Sequence, residues 1–160
     1  MTLHSPLALR FGLAACLLAG ATSAAALQSG KTPEGRAFVS GGVTHSELAT
    51  LHASRNDYNL WVITAASRTG AYLADVQVSI TDSQGKVVFE GAMDGPWLFV
   101  DLPLGRYEIK ATLKGQTQRH LSTLHAGDRH QALLYFDTGD TLSPENTSPF
   151  PSSPFSNGRK

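Results

Sequence analysis

The sequence predicts a single all-β domain, a sandwich of seven short strands preceded by one short helix and followed by a disordered tail. Two observations carry that prediction. From Asn59 onward apolar and polar residues alternate with a period of two, most clearly where Tyr107, Ile109, Ala111 and Leu113 interleave with Arg106, Glu108, Lys110 and Thr112. Turn-forming groups such as Asp82-Ser83-Gln84-Gly85, Pro103-Leu104-Gly105, Lys114-Gly115-Gln116 and Ala126-Gly127-Asp128 then divide the chain at short intervals.

The elements follow in order. Residues 1–26 read as an export signal: Arg10 supplies positive charge, residues 11–21 are apolar, and Ala24, Ala25 and Ala26 satisfy the small-x-small rule for cleavage after Ala26. The apolar run is too short for the roughly 20 residues that span a bilayer. Leu13-Ala14-Ala15-Cys16 offers an alternative, a lipid-modified Cys16, but apolar residues continue past the cysteine where a polar linker is expected. Residues 27–42 read as a linker. Thr44 and Glu47 have capping-box spacing ahead of Leu48 and Leu51, which predicts a helix over 44–55. Strands are expected over 60–66, 76–81, 86–92, 97–102, 106–113, 117–123 and 130–137, with both faces apolar in the first and last. From 138 to 160, Pro144, Pro149, Pro151 and Pro154 among serines predict a disordered tail, in which Phe150 and Phe155 stand out as possible anchors.

Composition narrows the function. Lys and Arg number 13 and Asp and Glu 13, leaving no basic surplus for nucleic acid or an anionic membrane. The one cysteine is Cys16, so cleavage after Ala26 leaves a domain held by packing alone and favours a bacterial periplasmic address.

Residues 76–113 carry a recognisable cadence, Val76-x-Val78-x-Ile80-x-Asp82-x-x-Gly85 and then Leu102-Pro103-x-Gly105-x-Tyr107-x-x-Lys110-Ala111. This resembles the carboxypeptidase regulatory-like domains, and the wider stretch 41–137 is similar to secreted proteobacterial proteins that carry that domain. The resemblance implies a prealbumin-like Greek-key sandwich acting as an accessory module and not as a catalyst. Its motif positions are turns and core residues, with Asp82 and Gly85 suited to the ends of a type I turn.

Catalytic signatures do not assemble. Gly30-Lys31-Thr32 mimics the end of a phosphate loop, yet Ala25 stands where the first glycine is required. His45-x-Glu47 lacks the cysteine ligands of a zinc deaminase. Neither an enzyme activity nor a cofactor is expected. The candidate binding surface is Tyr72 with the Asp94, Gly95, Pro96 and Trp97 turn, since loop aromatics stack on sugars or anchor a partner. For Trp97, closing the open end of the sandwich core is the favoured role, since Trp is usually largely buried. An alternative is a metal site: His120, His125 and His130 recur every five residues around an expected hairpin, with Asp128 as a further ligand. The expected function is a non-catalytic periplasmic module that binds an envelope protein or polysaccharide, with no nucleic acid and, after signal cleavage, no membrane as partner.

Overall fold

A computed structural model describes residues 27–139. The expected signal segment and all but the first two residues of the expected tail lie outside them. Nine strands form two sheets with one α-helix among the described residues: β1 (Gln28–Lys31), β2 (Ala37–Gly41), α1 (His45–Ser54), β3 (Leu60–Ala66), β4 (Gln77–Asp82), β5 (Val87–Ala92), β6 (Trp97–Val100), β7 (Gly105–Leu113), β8 (Gln116–Leu124) and β9 (His130–Phe136). One sheet runs β1-β2-β6-β3-β9 and the other β5-β4-β7-β8. The all-β sandwich is therefore present, with two more strands than the seven expected.

Those two strands occupy the segment expected to be a linker. β1 is exposed throughout and pairs antiparallel with β2, which in turn pairs with β6. Ladder hydrogen bonding holds β1 in place, and that leaves no hydrophobic periodicity to read.

The main core lies between the sheets. Leu60 and Val62 of β3, Leu98 and Val100 of β6, and Ala132, Leu134 and Phe136 of β9 meet Val78, Ile80, Ile109 and Ala111 of the opposing sheet. Val78, Ile80, Tyr107, Ile109 and Phe136 are all buried, as the alternation requires. The Tyr107 hydroxyl donates to the Pro103 carbonyl at 2.8 Å, so the buried ring keeps its polar atom satisfied and pins the Pro103-Leu104-Gly105 turn.

The five-stranded sheet is apolar on its other face as well. Val39, Trp61, Ile63, Trp97 and Phe99 point outward and pack with Leu51 of α1 in a second cluster. This is why β3 and β6 are buried along their whole length, unlike strands with one wet face. The helix that covers them is capped as the sequence anticipates. The Thr44 side chain accepts from the Glu47 N–H at 3.2 Å, while the buried Glu47 carboxylate accepts from Gly42 N–H at 3.0 Å and Val43 N–H at 2.8 Å.

Candidate functional site

Beyond the edge of α1, the outer face of the five-stranded sheet holds a groove of about 150 Å³ lined by Ile63, Ala65, Gly70, Tyr72, Trp97, Gln131, Leu133 and Tyr135. Three strands supply its floor. β3 and β9 run parallel with Ile63 opposite Leu133 and Ala65 opposite Tyr135. β6 lies on the other side of β3 with Trp97 opposite Ile63. The loop after β3 folds back to form an antiparallel bridge between Ala65 and Tyr72, which sets Tyr72 beside β3. Its ring centroid is 5.7 Å from that of Trp97. Burial raises the Tyr72 phenol above its ordinary pKa, and the neighbouring Tyr135 adds to the effect. Tyr135 is 49% exposed, a large aromatic ring open to solvent at the groove's rim.

The structure thus joins two of the sequence candidates, Tyr72 and Trp97, in one place. It changes the part played by the turn before Trp97. Asp94 is exposed, but Gly95, Pro96 and Trp97 are buried. A Cβ on Gly95 would lie 2.3 Å from the Gly41 carbonyl oxygen, so glycine there serves the close approach of the turn to β2. Trp97 does not close an end of the inter-sheet core. It belongs to the outer cluster, tilted against His52 of α1 at 6.4 Å and edge-on to Phe99 at 6.1 Å. Gly42, at φ 92°, makes room for it, since a Cβ there would come within 2.6 Å of the indole. Trp61 carries the Arg55 guanidinium 3.9 Å above its ring, so the helix end is tied to the same face.

The histidines are arranged differently from the expected hairpin. β8 and β9 belong to different sheets, and the intervening turn, closed by Asp128 N–H donating to the His125 carbonyl at 3.1 Å, carries the chain from one to the other. His120 and His130 nevertheless meet across that corner with ring centroids 5.9 Å apart. Burial lowers the His120 pKa, with His130 contributing. No group of three or more His, Cys, Asp and Glu side chains among the described residues is arranged to hold a metal ion. His125 and Asp128 instead line a polar cleft of about 300 Å³ with Asp57, Asp101 and Arg129. Asn59, Asp101 and Arg129 of that cleft serve the fold. The Asn59 side chain holds both the N–H and the carbonyl of Leu102, Asp101 pairs with Arg36 at 3.1 Å, and Arg129 donates to the Asn56 carbonyl.

Sequence reasoning did not find Ile63, Leu133 and Tyr135. The signal available was the apolar content of β3 and β9 on both faces, which requires something to cover or use the outer side. No family model matches the chain, and no curated protein or solved structure compared with it is similar enough to count as a match.

Proposed function

We propose that this is an exported, non-catalytic binding module of the carboxypeptidase regulatory-like type, a prealbumin-like Greek-key sandwich that captures an envelope protein or polysaccharide in the groove of Tyr72, Trp97 and Tyr135. The groove itself is the observation that carries the reading. It is mostly apolar and aromatic, with Gln131 as its polar side chain, and it is built on three strands of a packed sheet, so its floor is formed before a partner arrives. Tyr135, 49% exposed at the groove's rim, suits stacking on a sugar or seating a hydrophobic side chain. The volume is below the roughly 300–1,000 Å³ usual for a small-molecule pocket, which favours an anchor point on a larger partner over an enclosed cofactor. The Greek-key part of the reading rests on the resemblance carried by residues 76–113. The export address rests on the residues 1–26 pattern.

The test is affinity isolation from the native envelope with the wild-type chain and with Tyr72→Ala and Tyr135→Ala. Loss of the same partner in both variants supports the reading. Undiminished capture by both removes it.

The meeting of His120 and His130 favours a second reading, capture of a divalent metal through paired imidazoles. Calorimetric titration with zinc and copper tests it: a 1:1 site abolished by His120→Ala supports metal capture, and absence of heat with either ion rejects it.

A further inference from the structure

We infer that the chain carries its own occupant for the aromatic groove, the Pro-Phe segment at residues 149–155. The inference rests on the groove being a binding site and names what fills it when no partner is present.

Size and lining point the same way. A cavity of about 150 Å³ is enough for a benzene-sized ring, and the groove has that volume, walled by Tyr72, Trp97, Tyr135, Ile63 and Leu133. The segment beyond the described residues holds Phe150 between Pro149 and Pro151, and Phe155 directly after Pro154. Proline fixes φ near the value of the extended polyproline helix, so the ordering cost of presenting these rings is small. Proline-rich segments of that kind are recognised by grooves lined with aromatic side chains. Phe150, Phe155 and Leu142 are the large apolar side chains of residues 140–160, so the segment offers few competing anchors.

Connectivity lets the two meet. Tyr135 of the groove wall lies on β9, the strand from which the segment departs. The end of β9 is fixed beside the loop that carries Gly70 and Tyr72: Ser67 N–H donates to the Phe136 carbonyl at 2.8 Å, and Arg68 pairs with Asp137 at 3.7 Å. Eleven residues lie between the last described position, Gly139, and Phe150 if the latter is counted. At about 3.3 Å per residue they reach on the order of 36 Å when extended, well past the groove. A short tether of this kind gives an effective concentration in the millimolar range, so weak docking of one ring suffices for occupancy. An outside partner then competes with the segment, which makes the groove a regulated site.

The experiment uses the full chain carrying Cys16→Ser and Ser152→Cys, labelled with a nitroxide at position 152 and with ¹⁵N elsewhere. Selective broadening of the Gly70, Tyr72, Leu133 and Tyr135 amides is expected, and it should disappear when Phe150→Ser and Phe155→Ser are added. Absence of broadening at these amides overturns the inference, as does broadening that survives the double substitution. Mixing ¹⁵N chains with unlabelled nitroxide-bearing chains separates docking within one chain from docking between copies. Broadening in the mixture at the same four amides assigns the segment to a second copy and also overturns the inference. Partner capture is scored separately with Tyr72→Ala, so failure of the segment to dock is distinguishable from failure of the groove as a site.

Discussion

Replacing Ile109 by Ala tests the packing on which the site is mounted. Ile109 is fully buried in the centre of β7, flanked by Ile80 on β4 and His120 on β8. The substitution removes three carbons, worth about 2.4 kcal/mol at ~0.8 kcal/mol per buried methylene. A cavity cost is added because the opposing β3 and β9 side chains are fixed by their own sheet and relax only in part. The expected loss is therefore in the range of about 2–5 kcal/mol. Urea unfolding monitored by tryptophan fluorescence reads it as a fall in midpoint with an unchanged slope. Leu121→Ala is the control, since Leu121 on the adjoining β8 is 79% exposed and should cost less than about 0.5 kcal/mol. A loss below about 0.5 kcal/mol for Ile109→Ala, or equal losses for the two variants, would refute the assignment of the inter-sheet core.

Three further outcomes are expected. Glu47→Ala leaves the buried Gly42 N–H and the Val43 N–H without their carboxylate and should cost about 1–3 kcal/mol in thermal or urea unfolding, more than Thr44→Ala. Because burial beside His130 lowers the His120 pKa, the unfolded chain binds protons more readily just below its ordinary pKa of about 6.5. Stability attributable to His120 is thus intact above that pH and is lost as pH falls toward the lower folded value, and His120→Gln should flatten the urea-midpoint profile in that window. Tyr72→Ala should weaken partner capture while shifting the melting temperature by only a few degrees, since the ring is half-buried at a groove and not in the inter-sheet core.

Much of this fold is legible in the sequence, for definite reasons. β7 shows its inward face because Tyr107, Ile109 and Ala111 meet the core while Arg106, Glu108 and Lys110 do not. α1 is visible through a cap whose two partners are local, Thr44 and Glu47. β1 and β2 escape notice because Gly30, Gly41 and Gly42 interrupt the pattern and because β1 is held by pairing and not by burial. The relation of His120 to His130 also lay beyond reach. Their spacing is the same whether β8 and β9 form a hairpin or pass to different sheets, and only the sheet assignment decides. The groove illustrates the same limit. Tyr72 and Trp97 could be singled out as loop aromatics, but the wall they face comes from the parallel pairing of β3 with β9, a long-range contact that no local pattern encodes.

The central claim, that the outer sheet face is where this protein binds, is tested most directly by site-specific photocrosslinking in the cells that produce it. A benzophenone side chain in place of Tyr135 stands at the groove's rim, where the native ring is already 49% exposed. The same group in place of Leu121, 79% exposed on the opposite sheet, is the control. The account predicts a discrete adduct from position 135 that is lost when Tyr72→Ala is added, and none from position 121. An adduct from 121 with none from 135 would contradict it.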